Sequence, residues 1–288
     1  MNRIQNEQRH RNQKTRGCWE LYAEHRRRVT ELLLGHCPEE VSARGGDLPT
    51  PRLCVLGAGN CNDLDLPQLL ASFGEIHLVD LDGEALSAGV AAQHLDTEAR
   101  VALHSGIDLT GLNARLSHWS HDQPPPPSEI EALLATTASA TPLPLEWPFE
   151  TVASVCLLSQ LLEAVKLTLG ETHSQYLPLV QAVRARHLRQ AVSLCRPGGQ
   201  LVLVTDFVSS DTCPELATVA EPQLPALAEQ LVLAQNFFTG LNPFLLRRLF
   251  ASDPWLAPRI TQPRLFPPWR WHFPTRSYAV CAITAICR

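Results

Sequence analysis

The sequence has no long apolar run. No stretch approaches the roughly 20 apolar residues that a membrane-spanning helix needs, and the polar, basic N-terminus lacks the apolar core of a signal peptide. These absences predict neither a membrane span nor a secretion signal, and we expect a cytoplasmic protein.

Cysteine pairs and ligand clusters are lacking as well. The nine cysteines are scattered without a CxxC pair, and three of them fall inside apolar, strand-like runs. No cluster of oxygen ligands for a metal is evident either. We therefore expect buried, reduced thiols and no metal, rather than a disulfide framework or a zinc site.

Charge is unevenly distributed along the 288 residues. The net charge is −5, yet residues 1–28 carry eight Lys or Arg against three Asp or Glu, so the remainder is distinctly acidic. This balance disfavours a general nucleic-acid binder. The chain is 45% hydrophobic and 18% charged, which suits one large domain with an appendage. We expect a basic arm and cap helix over 1–46 and a main domain over 47–288, with a proline-rich insertion or connection at 118–148.

The spacing of apolar residues predicts the secondary structure. Residues 1–16 lack an apolar period and suggest a frayed or mobile arm, whereas Cys18–His36 show the spacing of one helix face. Strand-like runs then alternate with helical segments, as in βαβ units. The predicted strands are Arg52–Leu56, Ile76–Val79, Arg100–His104, Thr151–Leu158, Leu201–Thr205, Trp269–Phe273 and Ser277–Ile286. We predict a Rossmann-like, doubly wound α/β fold with a mostly parallel, seven-stranded sheet and an antiparallel C-terminal hairpin.

Unusual residues follow the predicted strands, where a parallel sheet binds its ligands. Gly57-Ala58-Gly59-Asn60 follows the first strand, and its glycines let the backbone approach a ligand closely. Asp80 ends the second strand, 23 residues after Gly57 and near the spacing of about 20 for an acid that binds ribose hydroxyls. Asp108 follows the third strand, and Ser159-Gln160 follows the fourth. The alternative is a tight turn that touches nothing and carboxylates that cap turns or helices.

Three segments, VLGAGNCNDLDL, HLVDLD and RPGGQLVLVTDF, resemble the successive motifs of class I S-adenosylmethionine-dependent methyltransferases. In that family a glycine-rich loop follows the first strand, an acid ends the second, Pro-Gly-Gly precedes the fifth, and an antiparallel strand closes the sheet. The resemblance covers roughly residues 51–288. It implies S-adenosylmethionine as cofactor and S-adenosylhomocysteine as product. Cys61 stands where the family's G-x-G-x-G loop has its third glycine.

The resemblance also implies a cofactor site. The residues that it assigns to the cofactor are Gly57, Ala58, Gly59 and Asn60 in the loop, Asp63 near the amino and carboxyl groups, Asp80 at the ribose, and Leu81 and Asp108 at the adenine. The residues that it assigns to the transferred methyl are Leu158, Ser159 and Gln160.

Two other functions remain open for this loop. A nicotinamide-dependent oxidoreductase also begins with G-A-G after a strand, although Asn62 occupies the place of that fingerprint's third glycine. A regulatory protein that binds the cofactor without chemistry is the second alternative. Methyl transfer needs little beyond alignment in a dry site, so the lack of a visible catalytic dyad does not exclude catalysis.

The acceptor side is less well indicated. The predicted cap helix carries Tyr22 and His25 beside Trp19, and we predict that it forms a lid with Tyr22 or His25 facing the methyl. Asp206 follows the fifth strand, where it suits an acceptor. Further candidates for aromatic walls are Phe237, Phe238, Trp269 and Trp271. Ordinary packing or capping is the alternative for each.

The segment after the fourth strand reads Leu158-Ser159-Gln160-Leu161, without the Asn-Pro-Pro-Tyr type signature of nucleic-acid amine methylation. We therefore expect a small-molecule acceptor rather than a nucleic acid. The sequence does not indicate an oligomeric state.

Overall fold

The computed structural model describes residues 3–35, 50–120, 123, 125–137, 143–145 and 148–288. The helices are α1 (Arg3–Thr15), α2 (Ala23–Leu34), α3 (Leu66–Leu70), α4 (Gly83–Ala92), α5 (Asn113–Leu116), α6 (Pro127–Thr137), α7 (Leu158–Leu169), α8 (Tyr176–Leu194), α9 (Leu224–Leu233) and α10 (Pro243–Ser252). The strands are β1 (Arg52–Leu56), β2 (Glu75–Asp80), β3 (Val101–Ser105), β4 (Phe149–Val155), β5 (Cys195–Ser209), β6 (Ile260–Leu265), β7 (Trp269–His272) and β8 (Ser277–Cys287).

One sheet runs through the molecule in the order β3-β2-β1-β4-β5-β8-β6. The first five strands are parallel, and β8 lies antiparallel to β5. The predicted doubly wound α/β fold is therefore confirmed, including its antiparallel C-terminal strand. The sheet holds eight strands rather than seven because β6 and β7 pair with opposite ends of β8 and together form one interrupted edge. Pro267 and Pro268 separate them, and proline cannot donate a ladder hydrogen bond.

Each face of the sheet has its own core, as the two-residue side-chain period of a strand requires. In β1, Cys54 and Leu56 contribute to the core that α8 covers, and Leu53 and Val55 to the core that α2 covers. Four consecutive residues of β1 are thus fully buried. Burial on both faces explains why this strand reads as a continuous apolar run.

The helix predicted from Cys18 begins only at Ala23. The guanidinium of Arg26 lies 3.4 Å from the ring centre of Trp19 and donates a 2.8 Å hydrogen bond to its carbonyl. The Ala23 N–H donates to the carbonyl of Glu20, three residues back, rather than four residues back as in an α-helix. Cys18–Tyr22 therefore form turns. Val29 and Leu33 of α2 are fully buried against the sheet.

Residues 3–15, predicted as part of a mobile arm, form α1. Its only buried side chain is Asn12, so the helix has no apolar face. Polar contacts hold it instead: Arg3 donates to the Leu167 carbonyl at 3.3 Å, and Arg9 lies 3.4 Å from Glu84. Apolar periodicity cannot detect a helix of this kind. The predicted division at residue 46 and most of the segment 138–147 lie outside the described residues, while α6 falls within the proline-rich segment.

Eight cysteines belong to the described ranges, and all are buried free thiols. No helix in those ranges combines the length and the apolar character that crossing a membrane requires.

Candidate cofactor and acceptor site

The strand order of the sheet reverses between β1 and β4, which is where an open α/β sheet binds ligands. The loops after these two strands touch each other there. Gly57 has a φ of 80°, and a Cβ atom on it would lie 2.7 Å from the Cβ of Leu157. Only glycine satisfies both the backbone conformation and the close approach at this position.

Asp80 ties the glycine loop to the end of β2. Its Oδ2 accepts a hydrogen bond from the Gly59 N–H, and its Oδ1 accepts one from the Asp82 N–H, both at 2.9 Å. Only 4% of Asp80 is exposed, and burial raises the pKa of its carboxyl to about 6. Each carboxylate oxygen retains a second lone pair, so Asp80 can also accept from two ribose hydroxyls.

Cys61 has a φ of 55°, in the region that glycine favours. It stands where the loops that this sequence resembles have their third glycine, and the left-handed conformation is present here with a cysteine. Cys156, in the turn after β4, has a φ of 47°. Residues held in such conformations cluster at functional sites, and these two flank the crevice between β1 and β4.

Helix α1 covers the glycine loop. The Asn12 amide donates to Asp82 Oδ2 at 3.0 Å, and the Asn60 amide donates to the Asn12 carbonyl at 2.7 Å. The Asn62 amide donates to the Thr15 carbonyl at 2.7 Å. The element over this loop is therefore α1, which the sequence did not predict as a helix; that the helix predicted from Cys18 forms a lid over an acceptor stays a prediction. Asn12 and Asp82 were not predicted from the sequence. Asn60 and Asn62, two amide side chains next to the glycines, were the available indication that a polar segment packs on this loop.

A cavity of about 310 Å³ lies between α1 and the turn after β2, lined by Gln5, Gln8, Arg9, Leu81 and Asp82. Asp108, predicted to meet an adenine, bonds through Oδ1 to the N–H of Thr110 at 2.9 Å and to its hydroxyl at 2.6 Å. This contact is the turn-capping role that the sequence left as an alternative; the adenine contact stays a prediction. A larger cavity of about 450 Å³ includes Gln200 and Ile286 and lies at the other end of the central strands.

The fourth strand ends at Val155, and Ser159 and Gln160 belong to the first turn of α7 rather than to a loop. The Ser159 hydroxyl donates to Asp206 Oδ1 at 2.5 Å. Asp206, predicted to follow the fifth strand, lies within β5, which continues to Ser209. It is joined to Ser159, a residue that was predicted separately. Asp206 is 6% exposed, and burial raises the pKa of its carboxyl to about 6.

His25 and Tyr22 lie in an aromatic cluster with Trp269 and Trp271. His25 stacks on Trp271 with ring centres 4.5 Å apart, and Tyr22 meets Trp271 edge-on at 5.1 Å. The Trp269 indole N–H donates to His25 Nδ1 at 3.0 Å, which assigns the proton of a neutral imidazole to Nε2. Burial lowers the pKa of His25 to about 3. With Nδ1 occupied, the neutral imidazole of His25 has only its Nε2–H to offer; that Tyr22 or His25 faces the transferred methyl stays a prediction.

The Nε2 of His25 faces Asp63, with 3.5 Å between the nitrogen and Asp63 Oδ1. That distance is too long for a strong hydrogen bond, and Oδ1 has no other partner among the described residues. The side chain of Asp63 keeps 19% of its surface exposed, although Oδ1 itself is covered. Burial raises the pKa of Asp63 to about 7 despite the opposing charge of Arg26.

The raised pKa of Asp63 predicts a pH effect on the protein without ligand. Below pH 4 an aspartate is protonated in both states; between pH 4 and 7 the unfolded chain ionises while the folded protein keeps the proton. The stability that protonated Asp63 contributes at low pH is therefore lost as the pH rises from 4 to 7. The free energy of unfolding, measured by urea denaturation, should fall more between pH 4 and 7 in the wild type than in Asp63→Asn.

Comparison with the variant is needed because His25 and His187 change the free energy of unfolding with pH in the opposite direction. Burial lowers the pKa of both imidazoles, so below pH 6.5 they take up protons in the unfolded chain before they do so in the folded protein. Their contribution to stability therefore increases as the pH rises. Parallel pH profiles for wild type and Asp63→Asn would show that the pKa of Asp63 is ordinary.

No family model matches the chain, and the comparison with curated proteins also gives no match. Solved structures of similar shape include magnesium protoporphyrin IX methyltransferase from Synechocystis PCC 6803 with bound S-adenosylhomocysteine, at 12% identity, covering 91% of this chain and 82% of that one with a TM-score of 0.42. Human N-acetylserotonin methyltransferase in complex with S-adenosylmethionine is 13% identical, covering 98% and 56% with a TM-score of 0.44. An rRNA methylase from Streptococcus thermophilus is 9% identical, covering 83% and 87% with a TM-score of 0.39.

Similarity at these identities concerns the fold alone. The geometry of the glycine loop, Asp80 and the antiparallel β8 is the stronger observation, because it belongs to this chain. In its motifs and in the architecture of its sheet, the chain resembles the class I S-adenosylmethionine-dependent methyltransferases.

Proposed function

We propose that this protein transfers a methyl group from S-adenosylmethionine to a small-molecule acceptor. The observation that carries the proposal is Asp80, which anchors the glycine loop through Gly59 at the point where the strand order reverses. An acid in this place is suited to ribose hydroxyls. The cavity beside Leu81 and Asp82, beneath α1, adds room for a nucleoside.

The residues present fit the cofactor at both ends. Asp80 has lone pairs to spare. Gly57 and Gly59 let the loop backbone approach its neighbours closely, because a Cβ on Gly57 would meet Leu157 and one on Gly59 would lie 3.4 Å from Asn12 Oδ1. At the far end, the unpartnered Oδ1 of Asp63 suits an ammonium group. The bound cofactor would supply an electrophilic methyl; the chain's own task is to align the acceptor and to exclude water, for which α1 is well placed.

The oxidoreductase alternative fits less well. A dinucleotide-binding sheet continues with a parallel sixth strand, whereas β8 is antiparallel to β5. Asn62, which replaces the third glycine of the dinucleotide fingerprint, bonds to Thr15 and so helps to hold α1 over the loop. A second nucleotide would also meet Leu157, whose side chain already lies against Gly57.

Ion pairs within the basic N-terminal region support a small acceptor over a nucleic acid. Arg27 pairs with Glu24 and Glu31, and Arg9 pairs with Glu84. Arg26 is 8% exposed and is turned towards Trp19. Much of the charge in the first 28 residues is therefore balanced locally, which weakens the case for phosphate binding.

The test is ligand binding by the full-length protein. We expect S-adenosylhomocysteine to bind in calorimetry and to raise the unfolding free energy by about 2.7 kcal/mol at one hundred times its Kd. NADH and NADPH, measured side by side, should not bind. Binding of a nicotinamide cofactor without binding of S-adenosylhomocysteine would overturn the proposed function.

A further inference from the structure

A group of buried polar atoms next to the glycine loop has no hydrogen-bond partner within the described part of the chain. Most residues in such positions are hydrogen-bonded, so unpaired ones call for an explanation. The atoms in this part of the molecule are Tyr22 Oη, Asp63 Oδ1, Gln160 Oε1 and Trp271 Nε1. Tyr22 is 2% exposed and Trp271 is 6% exposed. These atoms come from the segments before α2 and after β1, from α7 and from β7, so different parts of the chain converge on one region.

The oxygen atoms of this region that can accept hydrogen bonds belong mainly to carboxyl groups. Asp206 bonds to Ser159 through Oδ1, and among the described residues no hydrogen bond to its Oδ2 is found. Asp63 and Asp206 are close enough for the charge of Asp206 to raise the pKa of Asp63. The nearest cations are already engaged: Arg26 bonds to the carbonyls of Trp19 and Asn62, and Arg11, which lowers the pKa of Asp206, lies 3.4 Å from Glu7.

Aromatic rings line the same region. Trp271 and Phe273 have ring centres 4.4 Å apart, and Phe273 and Tyr278 have theirs 5.1 Å apart. Tyr278 is near enough to Asp206 for that carboxyl to raise the pKa of its phenol to about 12, together with burial. Aromatic faces and carboxylates both attract a cation, so the chemistry of this region suits an ammonium group.

The alternatives suit the region less well. A carboxylate or phosphate acceptor would be repelled by the carboxylate of Asp206. A neutral alcohol would satisfy hydrogen bonds but would bring no positive charge to that carboxylate. An amine supplies both the positive charge and several N–H donors.

We propose that the methyl acceptor is an amine, which binds in its ammonium form beside Asp206 and is methylated on nitrogen. This inference rests on the methyl transfer proposed above. Asp206 takes one proton from the ammonium group, which frees the nitrogen lone pair. The lone pair forms the new N–C bond while the C–S bond of the sulfonium breaks and leaves its electron pair on sulfur. The methylated ammonium product carries the positive charge away, and the proton on Asp206 passes to solvent.

The test measures binding rather than turnover, with the full-length protein saturated with S-adenosylhomocysteine. Calorimetry compares matched probes that differ only in the polar group: 2-phenylethylamine with 2-phenylethanol, benzylamine with benzyl alcohol, and cyclohexylmethylamine with cyclohexylmethanol. We expect at least one amine to bind ten times more tightly than its alcohol. Asp206→Asn should reduce that preference to less than threefold while leaving S-adenosylhomocysteine affinity within twofold.

One further variant completes the design. Asp211→Asn removes an exposed carboxylate that pairs with Arg276, and it should keep the full preference for the amine. If Asp206→Asn does not fold, the comparison of amines with alcohols in the wild type decides the amine assignment by itself. Equal binding of amines and alcohols by a protein that binds S-adenosylhomocysteine, or a preference that survives in folded Asp206→Asn, would overturn the amine assignment alone. Failure to bind S-adenosylhomocysteine would instead overturn the proposed function.

Discussion

Asp80→Ala is expected to weaken S-adenosylhomocysteine binding by roughly a hundredfold, or about 2.7 kcal/mol. The variant loses the charge-assisted hydrogen bonds to the ribose, each worth roughly 1.5 to 3 kcal/mol. It also releases the N–H groups of Gly59 and Asp82, which Asp80 now holds in place. Titration calorimetry on the purified variant measures the affinity.

Asp96→Ala is the matched control for this experiment, because Asp96 is an exposed aspartate beyond the end of α4. It should bind S-adenosylhomocysteine like the wild type. A thermal melt shows whether each variant is folded. If folded Asp80→Ala binds within twofold of the wild type, Asp80 does not contact the ribose.

Asn12→Ala is expected to raise the dissociation rate of S-adenosylhomocysteine about tenfold. The substitution leaves Asp82 Oδ2, a buried acceptor, without the donor that lies 3.0 Å away. Such a loss costs roughly 1 to 3 kcal/mol. Since α1 has no apolar face to hold it, this cost should fall on its docking over the glycine loop. Stopped-flow displacement measures the rate.

Gln13→Ala changes the adjacent, exposed residue of the same helix and should leave the dissociation rate unchanged. Hydrogen exchange provides a second measurement, because amides of α1 should exchange faster in Asn12→Ala than in Gln13→Ala. Equal dissociation rates in the two variants would mean that α1 does not enclose the cofactor.

The central strands could be predicted because they are buried on both faces. In β1 the apolar run and the glycines that end it leave little choice of structure. The fourth strand was predicted to end three residues too late, because Cys156 turns the chain while the apolar run continues into α7. An apolar run alone cannot separate a buried strand from the helix that follows it.

β6 could not be predicted from its composition. Its sequence, Ile260–Leu265, contains a proline, and only its first residue is buried. It exists because β8 offers a free edge, which is a property of the assembled sheet. Helix α1 escaped prediction for a similar reason, since its partners Asp82 and Asn60 are 70 and 48 residues away in sequence.

Individual residues of the candidate site could be predicted from the sequence, but the contacts between them could not. Position at the predicted end of a strand indicated Asp80 and Asp206, because the topology of a parallel sheet brings such ends to one edge, although β5 continues past Asp206 to Ser209. The bond between Asp206 and Ser159, and the occupation of His25 Nδ1 by Trp269, depend on side-chain directions across 47 and 244 residues. No local pattern records such directions.

The left-handed turn at Cys61 shows that a residue with a side chain can hold a conformation that glycine favours. The conformational penalty for a Cβ there is roughly 1 kcal/mol relative to glycine. Burial of the thiol in the core offsets it by a comparable amount. Cysteine can therefore stand at a position of the loop where a glycine would be sought by residue identity. A search for such loops is better framed in backbone conformation than in residue identity.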